Sequence, residues 1–425
     1  MSDRNGVADR LYALLVQLFG VAPPVQLVGW DGSKAGGGDG PTVQVHSRKA
    51  VRRLLWAPGE LGLARAYVAG EIDIEGDLVH ALRQLAEYGA LIGPAPSLSA
   101  ADRREILRTA VLLGAVGPAP KPPPQELTLS GEASTSGREQ AAETAHGASG
   151  GTGPRLLEQV LGSSLTYSCA WWDESTTGLD AAQEAKLERI CRVLRLQPGE
   201  RLLDVGCGWG SLLLHAARHH DVSAVGVVRS ASRADFVRRR VQAAGLADRI
   251  AVRLGDYAAI EDGPYDAIAA IEANEHLGED DLVGYAAAAQ QLLAPGGRLL
   301  QQQVTRRGQP QEGSPTFITS YVYADRPVVP VAALVAALED AGLELREVTN
   351  LREHYPPTLR AWLANLERHL PDAERVAGEA QTRVWRLLLA LAAVGFERAR
   401  VSVHQVLAVR PFADGRSGWP DPTPN

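Results

Sequence analysis

The stretch Leu202-Leu203-Asp204-Val205-Gly206-Cys207-Gly208-Trp209-Gly210-Ser211 is an apolar run that opens into a turn with glycine at every second position. A helical segment, Leu212 to Arg218, follows at once. Strand, glycine turn and helix in this order cradle nucleotide-like ligands, because side chains on the turn would obstruct the approach of the backbone to the ligand. Dinucleotide sites space their glycines as G-x-G-x-x-G, whereas this chain reads G-x-G-x-G.

Strand-like and helical segments alternate from about residue 155 to 411. This alternation predicts an α/β fold with a doubly wound, mostly parallel sheet. In such folds the ligand lies at the carboxyl ends of the strands, near the switch point, and the glycine turn follows the first strand. The candidate strands are Arg201–Asp204, Ala224–Val228, Ile250–Leu254, Ala267–Ile271, Gly297–Gln303, Leu343–Asn350 and Val401–Ala408.

The domain organisation is predicted from changes in composition. Residues 1–117 begin with apolar side chains at helical spacing and are expected to form a smaller N-terminal α+β domain. Residues 118–154 are rich in Pro, Gly and Ser and predict a flexible linker. Residues 155–411 form the doubly wound domain, and residues 412–425 a disordered tail.

The composition excludes several classes of protein. The chain has 425 residues, 45% hydrophobic and 22% charged, and its net charge of -7 argues against a general nucleic-acid binder. No apolar run approaches the ~20 residues that span a bilayer, and no secretory signal is evident. The three cysteines, Cys169, Cys191 and Cys207, are too few and too scattered to predict a disulfide framework or a zinc site. We therefore expect a cytoplasmic protein without a metal centre.

Polar residues follow the next strands at the same predicted edge of the sheet. After the third strand, Asp256 and Tyr257 offer an acid that can hydrogen-bond an adenine and a ring that can cover it. The alternative for Asp256 is a helix cap. After the fourth strand, Glu272, Glu275 and His276 cluster where the acceptor of a transferred group or a base would be held. The alternative for these three residues is a helix cap with surface charges.

The glycine spacing resembles motif I of class I S-adenosylmethionine (SAM) methyltransferases, which have a Rossmann-like fold. In combination with other motifs, the chain resembles the cyclopropane fatty acid synthase family over nearly all of 155–411. Leu61 to Gly70 further resembles the N-terminal domain of the long, actinobacterial-type members, some of which make 10-methyl branched fatty acids. The motifs are Tyr167-Ser168-Cys169-Ala170-Trp171-Trp172, Asn274-Glu275-His276-Leu277-Gly278, Ser320-Tyr321, His354-Tyr355 with Thr358-Leu359-Arg360-Ala361-Trp362, and Val394-Gly395-Phe396-Glu397.

The resemblance implies a reaction and a set of site residues. Methyl transfer from SAM to a lipid alkene gives a carbocation, and loss of a proton closes a cyclopropane, or after a hydride shift leaves a methylene branch. A bound bicarbonate ion is the implied base. The implied catalytic residues are Cys169 through its backbone, Glu275, His276, Gln302, Val304 and Tyr321. The residues expected at the cofactor are Asp204, Gly206, Cys207, Gly208, Gly210, Ser230, Asp256, Tyr257 and Tyr167.

Aromatic side chains and two departures complete the comparison. The ring faces of Tyr167, Trp171 and Trp172 could stabilise a cation, with core packing as the alternative. Gln302 stands where the family has histidine, and it can hydrogen-bond an anion but cannot take up a proton. At the ribose turn, Val228 and Arg233 replace polar residues of the family's pattern.

The leading hypothesis is a SAM-dependent C-methyltransferase that acts on unsaturated phospholipid acyl chains at a membrane surface. The N-terminal domain and basic helices would place it peripherally on an anionic membrane. A homodimer and a reductase partner are further expectations, and no nucleic acid is expected. One alternative is a methyltransferase for a small-molecule acceptor; another is a catalytically silent partner subunit. Ring and branch both remain open as products.

Overall fold

The structure is a computed structural model. It describes residues 6–37, 40–92, 99–127, 153–308, 316–322 and 327–419. The chain divides into two compact units, each assembled from separate segments. The first unit comprises Met1–Ser149, Gly313–Ala324 and Leu366–Val394. The second unit comprises Gly150–Glu312, Asp325–Asn365 and Gly395–Asn425.

The first unit contains a small mixed sheet of order β2-β1-β3-β4. Its strands are β1 (Gln26–Val28), β2 (Lys34–Ala35), β3 (Thr42–Val45) and β4 (Ile72–Glu75), and only β1 and β3 pair in parallel. The amphipathic helix at the start of the chain forms as predicted. The helices are α1 (Val7–Phe19), α2 (Arg48–Trp56), α3 (Glu60–Val68), α4 (Leu78–Ile92), α5 (Ala100–Leu112), α11 (Phe317–Tyr321), α14 (Leu370–Ala377) and α15 (Glu379–Glu397), the last up to Val394.

The second unit contains a seven-stranded sheet, and each predicted strand is found. The order is β10-β11-β9-β8-β5-β6-β7, in which β11 runs antiparallel to both of its neighbours and the other pairs are parallel. The predicted doubly wound α/β fold is therefore confirmed. The strands are β5 (Arg201–Val205), β6 (Ser223–Val228), β7 (Ile250–Leu254), β8 (Tyr265–Ile271), β9 (Leu293–Arg306), β10 (Glu344–Asn350) and β11 (Val401–Val409).

Helices cover both faces of this sheet, which explains why its central strands are apolar on both sides. Leu202 and Leu203 point to opposite faces and are both fully buried, each in a different apolar cluster. The helices are α6 (Gly153–Leu161), α7 (Leu179–Val193), α8 (Ser211–His219), α9 (Ala231–Ala243), α10 (Glu279–Leu292), α12 (Val331–Asp340) and α13 (Tyr355–Arg368), the last up to Asn365.

The predicted linker and tail lie partly outside the described residues. Residues 128–152 and 420–425 are not described. The predicted tail begins with residues that make defined contacts: Trp419 packs against the sheet's apolar core, with the Arg195 guanidinium 4.3 Å from its ring centroid. Within the described part of the chain, none of the helices combines the length and apolar character needed to cross a bilayer.

Candidate active site

The glycine turn after β5 has a backbone that only glycine adopts without strain. Gly206 and Gly210 have φ values of 68° and 83°. A Cβ on Gly206 would lie 2.4 Å from the Cβ of Ala273, and one on Gly210 would lie 2.7 Å from Cγ1 of Val237. At Gly208, with φ 56°, a Cβ would meet no heavy atom of the described chain within 4 Å. The glycine turn is thus held between helix α9 and the turn that follows β8. We call this second turn, which contains Glu272, Ala273 and Glu275, the acidic turn.

Cys207 of the glycine turn packs closely against strand β6. A Cβ on Gly226 of β6 would lie 2.4 Å from Cδ1 of Leu213 and 2.7 Å from Sγ of Cys207. Burial raises the pKa of the Cys207 thiol well above its usual value. The side chain is therefore a neutral packing group, and Cys207 can contact a ligand only through the backbone of the turn.

The ribose-side residues take part in local structure. Ser230 caps α9, since its Oγ accepts a hydrogen bond from the Arg233 backbone N at 3.4 Å. The Arg233 guanidinium lies 5.2 Å from the ring centroid of Trp209 in the glycine turn. Of the two, Ser230 keeps a hydroxyl at the carboxyl end of β6, where a ribose would lie.

Asp256 has one carboxylate oxygen that suits an adenine. Its Oδ2 pairs with Nε of Arg229 at 2.9 Å. Its Oδ1 is buried and accepts no hydrogen bond from the described residues. A buried acceptor of this kind matches the exocyclic amine of an adenine. Tyr257 follows it, half-buried, with its ring edge-on to Tyr285 at 5.1 Å.

His276 belongs to this cofactor side of the site. Its Nε2 contacts Nη2 of Arg229, the same guanidinium that pairs with Asp256. Predicted as a catalytic residue, His276 is thus linked through Arg229 to Asp256, which was predicted for the cofactor.

Glu272, one of the two acids that the sequence analysis placed after the fourth strand, is the centre of a polar cluster whose other contacts the sequence did not predict. Its Oε1 accepts hydrogen bonds from the Cys169 backbone N at 2.9 Å and from Nε2 of Gln302 at 2.6 Å. Its Oε2 accepts from the hydroxyl of Tyr355 at 2.6 Å. Cys169 and Gln302, both predicted for the anion site, therefore meet at a carboxylate of the chain itself. We call Glu272, Cys169, Gln302 and Tyr355 the carboxylate cluster.

The sheet register explains how these residues meet. Ile271 at the end of β8 pairs with Gln302 of β9, and Gln405 of β11 pairs with Gln302 from the other side. Nε2 of Gln405 donates to Oε1 of Gln302 at 2.8 Å, so the amide of Gln302 is oriented with its NH₂ toward Glu272. The backbone N of Glu272 also donates to the carbonyl of Gln302 at 2.8 Å.

Glu272 holds this position at a conformational cost. Its φ is 53°, in the left-handed region that glycine prefers. A non-glycine residue there costs of order 1–3 kcal/mol and persists only where surrounding contacts determine it. Such strain is typical of functional positions. The sequence analysis singled out Glu272 at the strand end, but Tyr355 in the His354-Tyr355 motif was a signal of the cluster that received no role.

Glu275 and Val304 also meet. The Val304 backbone N donates to Oε1 of Glu275 at 3.3 Å. Both were predicted for the anion site, and the structure places them as neighbours in the same turn and strand that carry Glu272 and Gln302. Beneath them the hydroxyl of Tyr285 donates to Oε1 of Gln301 at 2.7 Å.

Tyr321 lies in the first unit, within α11. Its hydroxyl donates to Oε2 of Glu126 at 3.3 Å, and the same carboxylate receives Nε and Nη2 of Arg65 at 2.7 and 2.5 Å. Burial raises the pKa of Tyr321 above its usual value. In the structure its hydroxyl is held by Glu126.

The predicted aromatic residues have packing partners. Tyr167 stacks on Trp362 at 5.1 Å and remains 38% exposed. Trp171 has His354 stacked at 4.2 Å and the Arg189 guanidinium at 4.3 Å from its ring. The indole N of Trp172 donates to Oγ1 of Thr358 at 2.9 Å. Tyr167 therefore has the most open ring of the three.

Buried charges surround the cluster. Lys186 of α7 is almost fully buried, and its Nζ donates to Oγ of Ser168 at 2.8 Å. Burial lowers the pKa of Lys186 to about 8, opposed by Glu272, Cys169 and Asp204. Burial raises the pKa of Asp204 to about 7, opposed by Lys186. Burial also raises the pKa of the Cys169 thiol, so Cys169 offers its backbone N and not a thiolate.

Residues 144–406 match the family described as mycolic acid cyclopropane synthetase. The chain belongs to this family. It is 33% identical over 407 residues to a probable fatty acid methyltransferase of Mycobacterium tuberculosis, covering 93% of each chain. It is 29% identical over 263 residues to the cyclopropane-fatty-acyl-phospholipid synthase of Escherichia coli, covering 62% of this chain and 67% of that protein.

Solved structures of the family share the fold. The mycolic acid cyclopropane synthase CmaA1, in complex with SAH and CTAB, is 26% identical with a TM-score of 0.57, over 63% of this chain and 97% of that one. The predicted family and the predicted class I methyltransferase fold are therefore both confirmed.

Proposed function

We propose that this protein transfers a methyl-derived carbon from SAM to the cis double bond of an unsaturated acyl chain in a phospholipid. That it is a SAM-dependent methyltransferase acting on fatty acyl chains follows from its family and agrees with the sequence prediction. The phospholipid carrier is the finer proposal, supported by the name of the Escherichia coli relative.

The observation that carries the proposal is the carboxylate cluster beside the cofactor turn. Ala273, next to Glu272, is the residue that a Cβ on Gly206 would strike. A partly buried carboxylate therefore lies one residue from the contact with the turn that would hold SAM. Asp256, with its unpaired oxygen, lies at the end of β7 on the same edge of the sheet.

The chemistry follows from this placement. SAM supplies an electrophilic methyl group when bound. The glycine turn lets the backbone approach it, and Asp256 would accept a hydrogen bond from its adenine. A carbocation formed on the acyl chain is a strong acid, so a weak base in the right position is sufficient to remove its proton. The Glu272 carboxylate would also stabilise the developing positive charge, because three hydrogen bonds hold it in place.

The bicarbonate ion implied by the resemblance does not fit these residues as they stand. The Cys169 backbone N and Nε2 of Gln302 would have to bind it, and both donate to Glu272. Tyr355 donates to the other oxygen of the same carboxylate. We propose that Glu272 serves as the base in its place.

The first unit offers a surface suited to an anionic membrane. Trp56 is 61% exposed and Val116 is 50% exposed, and they are neighbours because Nε1 of Trp56 donates to the carbonyl of Gly117 at 3.0 Å. Arg52 lies among them and donates to the carbonyls of Ala115 and Val116. Exposed apolar side chains next to arginine are typical of interfacial binding. A homodimer and a reductase partner stay predictions.

The purified chain with SAM and mono-unsaturated phospholipid vesicles tests the proposal. Mass spectrometry of the lipids should show a gain of one CH₂ unit, and fragmentation separates a ring from a branch. Free unsaturated fatty acid and a soluble alkene serve as comparison substrates. Modification of the soluble alkene alone would refute the lipid assignment. Failure to bind SAM by calorimetry would refute the enzyme assignment as a whole.

A further inference from the structure

Helices α7 and α8 bring together a cysteine and two histidines that lie far apart in the sequence. Cys191 is on α7, His215 is on α8, and His220 follows the end of α8. One ligand atom of each lies within 4.8 Å of the other two. Cys191 is fully buried as a free thiol and His215 is 8% exposed. The spacing of these residues did not predict a zinc site, because the fold brings them together.

A carboxylate lies beside the two histidines of this group. Oε2 of Glu188, one turn before Cys191 on α7, lies 3.2 Å from Nε2 of His215 and 3.0 Å from Nε2 of His220. In a tetrahedral zinc site with bonds of about 2.0–2.2 Å to nitrogen and oxygen, neighbouring ligand atoms lie about 3.3 Å apart. The two imidazoles and Glu188 thus already have nearly the separation that a bound ion requires.

We propose that Cys191, His215, His220 and Glu188 bind one Zn²⁺ ion. One thiolate, two imidazole nitrogens and a carboxylate form a ligand set that favours zinc over the hard cations, which prefer oxygen. Cys191, His215 and His220 already have ligand atoms close to one another, and Glu188 would join them by turning its carboxylate from the two imidazoles toward the ion. Binding would release the thiol proton of Cys191.

This zinc site uses no residue of the proposed methyl-transfer site. Helix α8 runs from Ser211 to His219, so along its axis His215 lies about 7 Å and His220 about 15 Å from Gly210. The ion would cross-link α7 to the end of the helix that the glycine turn starts. Its role would be to stabilise the second unit, and no zinc-bound water or substrate is required.

A second group of possible ligands competes for His215. Glu184, His215 and His219 also have ligand atoms within 4.8 Å of one another, but Glu184 and His219 are exposed. Nδ1 of His215 faces Glu184 at 3.9 Å, whereas Nε2 faces Glu188. Of the two groups, only the more buried one contains sulfur. Because His219 belongs only to the second group, its substitution distinguishes the two possible sites.

The test uses the full-length protein after treatment with a chelator. Titration with ZnCl₂ against a fluorescent competitor should show one equivalent bound with a dissociation constant below about 1 µM. Zinc at saturation should raise the melting temperature by several degrees. With CoCl₂ in place of zinc, a thiolate-to-cobalt charge-transfer band should appear, together with the intense visible bands of tetrahedral cobalt.

Variants decide which residues bind. Cys191→Ser should remove the charge-transfer band, and His220→Ala should weaken zinc binding at least tenfold, while His219→Ala and the exposed His80→Ala should leave both unchanged. Retained SAM binding and circular dichroism show that each variant is folded. Loss of binding in His219→Ala with retention in Cys191→Ser would overturn the proposed ligand set. Binding no tighter than about 100 µM, unaffected by any of these substitutions, would mean adventitious histidine binding and would overturn the site.

Discussion

The glycine turn after β5 and the acidic turn after β8 are neighbours in the fold, yet they differ in how far the sequence reveals them. Gly206 of the first turn packs against Ala273 of the second. The glycine turn depends on backbone conformation and close approach, which leave a mark in the sequence as glycine. The acidic turn depends on what distant residues donate to Glu272. The glycine turn thus reflects a local requirement of the backbone, whereas the acidic turn depends on residues from several strands and helices.

The largest expected effect is on the glycine turn. Gly206→Ala places a Cβ 2.4 Å from that of Ala273 on a backbone with φ 68°, so the turn must move. We expect SAM affinity, measured by calorimetry, to fall at least a hundredfold, and turnover to fall with it. Gly208→Ala is the matched control, because a Cβ at this position meets no described atom. Its loss of SAM affinity should therefore be smaller. Equal losses in both would show that steric contact with Ala273 does not define the turn.

The acidic turn should behave in the opposite way. Glu272→Gln keeps the shape but removes the charge, so turnover should fall about 10²–10⁴-fold while SAM affinity changes by no more than about threefold. Glu275→Gln should also reduce turnover with little change in SAM affinity, but by less, since Glu275 receives the longer hydrogen bond from Val304. Steady-state kinetics and calorimetry on the same preparations make the comparison. A smaller loss of turnover in Glu272→Gln than in Glu275→Gln would indicate that Glu275 is the base.

A single donor to the carboxylate should matter less. Tyr355→Phe removes the hydrogen bond to Oε2 of Glu272 and leaves the donors to Oε1 in place. We expect turnover to fall about tenfold, in line with one hydrogen bond to a charged group. Tyr285→Phe, which removes a hydrogen bond to Gln301 beneath the site, is the control and should retain most turnover. If Tyr355→Phe has full activity, the hydroxyl does not position Glu272.

The smallest effect concerns Asp204 at the end of β5. Burial raises its pKa to about 7 from 3.8, so between these values the folded state retains a proton that the unfolded chain has released. The stabilisation is complete below the lower value and is lost as the pH rises through about 7. In the unmodified protein, the free energy of unfolding should therefore decrease by at most about 1.4 kcal/mol for each unit that the pH rises in this range. In Asp204→Asn this decrease should be absent.

Denaturant unfolding at pH 5, 6 and 7 measures this difference, with exposed Asp248→Asn as the control. The shift of Lys186, whose pKa burial lowers to about 8, acts at higher pH and does not overlap this range. Identical pH profiles for Asp204→Asn and the unmodified protein would contradict the account of Asp204.

The sequence predicted what local patterns encode. The seven strands of the second unit, the glycine turn and the family follow from alternation, spacing and motif order, and all are confirmed. The carboxylate cluster was not predicted, because Glu272 accepts its hydrogen bonds from Cys169 and Gln302, which are 103 and 30 residues away in the sequence. The assembly of Cys191 with His215 and His220 escaped for the same reason. Periodicity reports which residues are buried, but not which side chains meet across a sheet.

Chemical rescue of Glu272→Gly tests most directly the claim that this protein carries its own anionic base. Glycine accepts the left-handed backbone and leaves the Cys169 backbone N, Gln302 and Tyr355 free to bind an added anion. In buffer freed of carbon dioxide, the unmodified protein should turn over at an unchanged rate with or without added bicarbonate. The variant should be inactive until bicarbonate or formate is added. An unmodified enzyme that loses activity without bicarbonate, and regains it on addition, would contradict the account.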